Sequence, residues 1–103
     1  MIEMEQRVNF FSLDAEEESF KKVYGDYENF LEALDSKSVY LIVDPKNKVA
    51  WIWNGAKASV RAKFIATQKA PLVRDEYCFD FKIIGIDEDN EPTEFKSFLG
   101  LYE

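Results

Sequence analysis

The chain has 103 residues, of which 47% are apolar and 16% aromatic, and its formal net charge is −7. This length supports one hydrophobic core, and the apolar content is too high for a disordered chain. No apolar run reaches the length of a membrane span, and the acidic start MIEMEQ lacks the basic and apolar parts of a secretory signal. We therefore expect a single globular domain, residues 1–103, located in the cytoplasm.

Two residue types that often carry chemistry are scarce. Cys78 is the only cysteine, and there is no histidine. One thiol cannot form an intrachain disulfide or build a tetrahedral zinc site. The sequence also contains no nucleophile motif and no phosphate-binding loop. We expect the protein not to be an enzyme.

The charges are segregated along the chain. Residues 1–36 contain three basic and ten acidic side chains, residues 37–74 contain eight and one, and residues 75–103 contain two and nine. A basic block speeds encounter with an acidic partner, although it could equally be a solvated face that balances its neighbours. Because the acidic flanks would repel phosphate, nucleic acid is not an expected partner.

The first half of the chain predicts strands and short helices. The segment RVNFFSL (7–13) predicts a strand. The next segment, DAEEESFKKVYG, predicts a short helix with Asp14 as its N-cap and Gly25 as its end, and DYENFLEALDS predicts a second helical turn. The apolar run SVYLIVD (38–44) is typical of a central strand covered on both faces, and PKNK predicts a turn that leads to its hairpin partner VAWIWN (49–54).

The second half predicts one long helix, one long strand and one short helix. The helix runs from about residue 58 to residue 70, is rich in Ala, Lys, Arg and Gln, and is closed by Pro71. The strand covers EYCFDFKIIGID (76–87), with a bulge or a change of covering layer near Gly85. Pro92 starts the short helix, and Gly100 ends it. This order of elements predicts an α+β fold with helices on a mixed sheet.

Two blocks of the sequence carry a family resemblance. VYLIVDPKNKVAWIWNGAKASVRAKFIATQKA, followed by IIGIDEDNEPTEFKSFLG, resembles the gelsolin-type repeat of the gelsolin and villin proteins, in a single-domain form. The resemblance covers roughly residues 36–101, while RVNFFSL lies where the family has its first edge strand. The positions that match the family pattern are Trp51, Trp53, Gly55, Ala66, Ala70, Glu88, Glu91, Pro92, Phe95, Leu99 and Gly100. A compact single-domain form would suit a minimal cytoskeleton such as that of Asgard archaea.

The resemblance implies a fold and a core. In this fold a mixed sheet of about five strands lies between one long and one short helix. The strand that ends in Trp53 is central, and Gly55 lets the chain turn tightly into the long helix. Trp51 and Trp53 share one face by alternation, so we expect them in the core together with Gly55, Phe95 and Leu99.

The family's calcium site is where this sequence departs from the resemblance. The family uses a Gly-Asp pair before the hairpin and a Glu on the long helix, nine residues after the Trp. Here the pair falls on Lys37-Ser38 or Ser38-Val39, and the helical position is Ala62. Calcium needs six to eight oxygen ligands, several of them charged, so we expect no calcium and no other cofactor.

A second acidic pattern partly matches a calcium-binding loop. Asp87, Asp89 and Glu91 alternate as the first ligands of an EF-hand do. Pro92 stands where that loop needs Gly, and Phe98 where it needs a bidentate Glu. We interpret the cluster instead as an acidic turn before a helix.

The long helix has two faces at about 100° per residue. Ala62, Ala66, Lys69 and Ala70 cluster on one side with Ile65 at the edge, and Val60, Phe64, Thr67 and Gln68 cluster on the other. The family pattern places the alanines against the sheet, which turns Phe64 outward; the opposite rotation would bury it. The family binds actin mostly through this helix, so the expected contact residues are Val60, Arg61, Lys63, Phe64, Thr67 and Gln68.

The function that the resemblance implies is binding of actin or an actin-like protein, with sequestration of monomers or capping of filaments and without calcium. The domain is expected to be a monomer when alone. The alternative is a scaffold module that makes no actin contact, as in the gelsolin-like domains of vesicle-coat proteins. An exposed Phe64 beside basic residues favours the first function, and a wholly polar outer face favours the second.

Overall fold

The protein structure, a computed structural model, describes residues 8–24, 34–78 and 80–98. Its strands and helices, in chain order, are β1 (Asn9–Asp14), β2 (Ser19–Val23), β3 (Val39–Asp44), β4 (Val49–Asn54), α1 (Val60–Asp75), β5 (Lys82–Asp87) and α2 (Thr93–Phe98). The predicted second helical turn in DYENFLEALDS, and the core position Leu99, lie largely or wholly outside the described residues.

The strands form one five-stranded mixed sheet in the order β2-β1-β3-β4-β5. The pairs β2–β1, β1–β3 and β3–β4 are antiparallel, and β5 lies parallel to β4. A parallel neighbour needs a crossover connection, and α1 provides it. The predicted mixed sheet with one long and one short helix is confirmed.

Each face of the sheet carries its own apolar cluster. The face under α1 packs Phe11, Val39, Leu41, Val43, Ala50, Ile52 and Phe81 against Ala62, Ala66 and Ala70. The opposite face packs Phe10, Tyr40, Ile42, Val49, Trp51, Trp53 and Ile86 with Phe95 of α2. Because β3 contributes to both clusters, it is buried along its whole length, as the sequence predicted for a central strand.

The prediction of a helix after β1 was wrong. Residues 15–18 form a turn, and β2 then pairs with β1 from Asp14↔Ser19 to Phe10↔Val23. The Asp14 carboxylate accepts hydrogen bonds from the backbone N–H groups of Glu16 (3.1 Å) and Glu17 (3.0 Å). An N-cap residue makes the same bonds at the start of a helix, but here they stabilise a turn. This extra strand also moves β1 inward, so β2 rather than β1 is the edge strand.

Two predicted boundaries in the second half were also wrong. Pro71 does not close α1 but lies inside it, and the helix runs on to Asp75. Val73 packs against the apolar cluster, and Arg74 Nη1 donates to the Phe81 carbonyl at 3.0 Å, so tertiary contacts hold the last turn. Strand β5 begins only at Lys82 rather than at residue 76, and its pairing with β4 passes through Gly85 without a bulge.

Candidate partner-binding surface

The start of α1 is fixed by a close approach of two backbone segments. Gly55 N–H donates to the Ser38 carbonyl at 3.0 Å, and Lys57 N–H donates to the Ser36 carbonyl at 2.8 Å. A Cβ at Gly55 would overlap the Ser36 carbonyl and lie 2.7 Å from the Ser38 oxygen. Glycine is therefore needed here because no side chain has room, and the chain can then enter α1 at Ser59, whose hydroxyl caps Ala62 N–H at 3.0 Å.

Glu88 ties this junction to the end of β5. One carboxylate oxygen accepts Ala56 N–H at 2.7 Å, and the other accepts the Ser36 hydroxyl at 2.7 Å. Both bonds favour the charged carboxylate and hold the pKa of Glu88 below its ordinary value of 4.5. The bond from Ala56 has the larger effect, and the bond from Ser36 has the next largest. Glu88 therefore connects β5, the loop before β3 and the entry to α1.

The two tryptophans lie on the α2 face of the sheet. Trp51 is 6% exposed and Trp53 2% exposed. Trp53 Nε1–H donates to a Glu91 carboxylate oxygen at 2.9 Å, which satisfies a polar group that burial would otherwise penalise. Trp51 meets the ring of Phe95 edge-on at 5.3 Å between centroids.

The outer face of α1 is exposed and partly apolar. Val60 is 84% exposed and Phe64 61% exposed, and Thr67 and Gln68 beside them are also exposed. Ala62, Ile65, Ala66 and Ala70 are buried on the inner side. Lys69, which the sequence places on the alanine side of the helix, is half-buried. The rotation that turns Phe64 outward is the one the structure has.

The basic residues near the start of α1 differ in what they contact. Arg61 donates to the Ala15 carbonyl and pairs with Glu18, both at 3.3 Å, so it joins the helix to the β1–β2 turn. Lys57 is exposed and Lys63 half-buried, and the first turn of the helix contains no acidic residue. Arg61 is therefore partly engaged within the domain.

Sequence reasoning missed Leu72, which is 62% exposed in the last turn of α1. It was missed because the predicted helix ended at Pro71. The signal was present nonetheless, since Leu72 follows Phe64 by eight residues and Val60 by twelve, a spacing that keeps helical residues in one row.

The residues at the family's calcium position do not fit calcium. The helical position holds the methyl group of Ala62, and Ser38 uses its backbone N–H and carbonyl within the junction. Glu88 is already bonded to Ala56 and Ser36. Within residues 8–24, 34–78 and 80–98, no three acidic or cysteine side chains converge as metal ligands. Two or three anionic oxygens held at one point would be needed.

A cavity of about 520 Å³ lies on the α2 face, at the end of the sheet away from the start of α1. Val49, Trp51 and Ile84 form its apolar wall, and its polar lining is Asp44, Asn47, Lys82 and Glu94. The Asp44 carboxylate is engaged with the Asn47 side chain at 2.6 Å, where it closes the β3–β4 turn. No helix in the described ranges is long and apolar enough to span a membrane.

Comparison with solved structures identifies the fold. Thorarchaeota ProGel, crystallised in complex with rabbit actin, matches with a TM-score of 0.78 and 26% sequence identity over 91% of this chain and 100% of ProGel. The chain has a gelsolin-like fold. Thorarchaeota 2DGel3, also crystallised with rabbit actin, matches with a TM-score of 0.69 and 26% identity over 94% of this chain. The match covers 48% of 2DGel3, so this chain spans about half its length. No protein-family model and no curated protein matches the chain.

The residues of the two sequence blocks have definite structural roles in the gelsolin-like fold. In the first block, Gly55 admits the close approach to Ser36, and Ala66 and Ala70 let α1 lie on the sheet. In the second block, Glu88 accepts a hydrogen bond from the Ser36 hydroxyl, and Glu91 accepts one from the Trp53 indole. The residues that carried the resemblance are thus mostly those that assemble the gelsolin-like domain, and the exposed residues of α1 lie outside that set.

Proposed function

We propose that this gelsolin-like protein binds actin or an actin-like protein by laying the outer face of α1 in a cleft of the partner. The observation that carries the proposal is the exposure of Phe64 beside Val60 on a helix whose first turn is basic. Both structural relatives were crystallised with actin, which supports the choice of partner.

The exposure of Phe64 is the feature that a partner would use. A large apolar side chain left in water costs free energy that burial against a partner recovers, at about 25 cal/mol per Å². Aromatic residues at the centre of a contact commonly act as anchors, and an amphipathic helix in a groove is a recurrent mode of recognition. Lys63 next to it, and Lys57 in the turn before α1, would face acidic groups of the partner.

The proposed effect on assembly is sequestration of monomers or capping of filament ends. One such domain offers one α1 face, whereas severing in this family uses several linked domains on neighbouring subunits. The proposal also includes calcium independence, which is supported by Ala62 and by the internal bonds of Glu88. A cytoplasmic location and a monomeric free state remain predictions.

An actin assembly assay with pyrene-labelled monomers, run with calcium and with chelator, tests the proposal. Sequestration lowers the final amount of polymer in proportion to the added protein, and capping slows elongation at small molar ratios. We expect one of these effects, and the same size of effect in both buffers. An absence of any effect, together with no binding of monomer, would favour the scaffold function instead.

A further inference from the structure

The exposed apolar side chains of the domain are not scattered evenly. Among the described residues the large ones are Tyr24, Val60, Phe64, Leu72 and Ile84. Three of these five lie on α1. Single exposed apolar residues are ordinary, whereas neighbouring ones mark an interaction surface.

The three residues on α1 lie in one row of the helix surface. Val60, Phe64 and Leu72 are spaced by multiples of four, and the exposed Gln68 fills the remaining place. Side chains four residues apart form a ridge inclined by about 26° to the helix axis. We call Val60, Phe64, Gln68 and Leu72 the α1 ridge; at 1.5 Å per residue it is about 18 Å long.

The far end of the α1 ridge is held in place. Leu72 lies between Pro71, which is half-buried, and Val73, which packs against the apolar cluster. Arg74 then donates to the Phe81 carbonyl at 3.0 Å and pairs with Asp75 at 2.7 Å. The last turn therefore has a fixed rotation, and Leu72 is presented to solvent by an ordered helix.

The end of the α1 ridge at Val60 is the basic one. Lys57 and Lys63 flank that end, while at the end near Leu72 the charge of Asp75 is paired with Arg74. Basic side chains in a first turn do not stabilise a helix, because its N-terminus is already the positive end of the dipole. Helix stability thus does not explain Lys63, and Lys57 precedes the helix and interacts with the charge of Glu88. An acidic group on a partner would be attracted to this basic end.

We infer that the α1 ridge is one continuous contact surface, with Leu72 as a second anchor beside Phe64. The α1 ridge fits an apolar groove that is about 18 Å long and crosses the helix axis at about 26°. The groove is acidic at the end that receives Val60. This inference rests on the proposed function and deepens it, because it specifies the shape and the polarity of the partner's groove.

Equilibrium binding of monomeric actin by single variants tests the inference. Leu72→Ala should weaken binding about 10-fold, which corresponds to about 1.4 kcal/mol. Gln68→Leu should strengthen binding by roughly three-fold or more, because it would make the α1 ridge apolar throughout. Ile84→Ala is the matched control, since it truncates an exposed apolar residue on the opposite face of the sheet. We expect its binding to equal that of the parent, and all variants should have the melting temperature of the parent within a few degrees.

The outcomes separate this inference from the proposed function. If Phe64→Ala weakens binding and Leu72→Ala does not, the α1 ridge is not continuous and only the proposed function stands. Weaker binding by Gln68→Leu would likewise contradict an apolar groove. If the parent does not bind actin, both the proposal and the inference fail. A dimer of the free protein that Leu72→Ala converts to monomer would assign the α1 ridge to a second copy and overturn the inference.

Discussion

At the scale of single residues, the entry to α1 depends on one position without a side chain. Gly55 lies against the carbonyl groups of Ser36 and Ser38, and these are backbone atoms that cannot rotate away. Gly85 in β5 offers a contrast, because a Cβ there would meet no atom within 4 Å. Replacing each glycine in turn therefore distinguishes a lack of space at Gly55 from the effect that any glycine has on the flexibility of the unfolded chain.

Gly55→Ala should destabilise the domain severely, by about 2 kcal/mol or more, because the clash must be relieved by moving backbone. Gly85→Ala should be neutral or stabilise by up to about 1 kcal/mol, since it reduces the entropy of the unfolded chain. Chemical denaturation of both variants measures these changes. Equal stabilities of the two variants would show that the close approach at Gly55 does not limit the fold.

Glu88 makes the stability of the domain depend on pH. Its bonds to Ala56 and Ser36 hold the pKa of the folded state below the ordinary value of 4.5. The contribution of a group with a lowered pKa is fully present above the pKa of the unfolded state, and it is lost as the pH falls through the pKa of the folded state. Glu88 therefore stabilises the domain at neutral pH and ceases to do so in acid.

Glu88→Gln should melt below the parent at neutral pH, and the difference should shrink as the pH falls below about 4.5. The cause is that the protonated carboxyl of the parent then resembles the neutral amide of the variant. Melting curves of both proteins between about pH 3 and pH 7 provide the test. A difference that stays constant over this range would mean that the charge of Glu88 has no role.

At the scale of elements, the apolar patterns of β3, β4 and α1 led to correct predictions, whereas the apolar run from residue 76 placed the start of β5 too early. The continuous apolar run of β3 and the alternation of β4 led to the right hairpin, and the family pattern of Ala66 and Ala70 led to the right rotation of α1. Asp14 and the acidic residues after it led to the wrong prediction of a helix, because the same carboxylate can cap either a helix or a turn. The pairing of β2 with β1 decides in favour of the turn. Leu72 was missed because the helix was predicted to end at Pro71, and the contact of Arg61 with the β1–β2 turn was missed because a helix was predicted there.

Pro71 is the unusual feature of α1. Proline inside a helix lacks the N–H that would bond to the carbonyl of Thr67, and it is about 3 kcal/mol less favourable than alanine there. Pro71→Ala should therefore raise the free energy of unfolding by about 2 kcal/mol, after about 1 kcal/mol is subtracted for the freer unfolded chain. Gln68→Ala, a change in the same helix without proline, should have an effect within about 0.5 kcal/mol. A loss of stability in Pro71→Ala would show that the packing of the proline ring outweighs the missing bond.

At the scale of the whole molecule, the two sides of the sheet have different tasks. The side under α2 contains both tryptophans and the bond from Trp53 to Glu91, while α1 covers the other side and exposes an apolar and basic face to solvent. The sequence indicated this division through the family resemblance and the charge blocks. It could not indicate the internal use of Arg61 and Glu88, because those bonds join segments distant along the chain.

The melting temperature of the domain should not change in millimolar calcium. A ligand that binds only the native state raises the melting temperature by mass action, and the position of the family's helical carboxylate is occupied by Ala62. Thermal melts with added calcium and with chelator measure this directly. A rise of several degrees with calcium that chelator reverses would reveal a site formed by other residues.

The central claim is that α1 binds actin through its outward face, and Phe64→Ala tests it most directly. Phe64 is 61% exposed, so its truncation should leave the melting temperature nearly unchanged. Loss of an anchor that costs about 2 kcal/mol or more should weaken binding of monomeric actin by roughly 30-fold or more. Parallel measurement of binding and melting for the parent and the variant gives both quantities. Actin binding equal to that of the parent, or a variant that unfolds, would contradict the account.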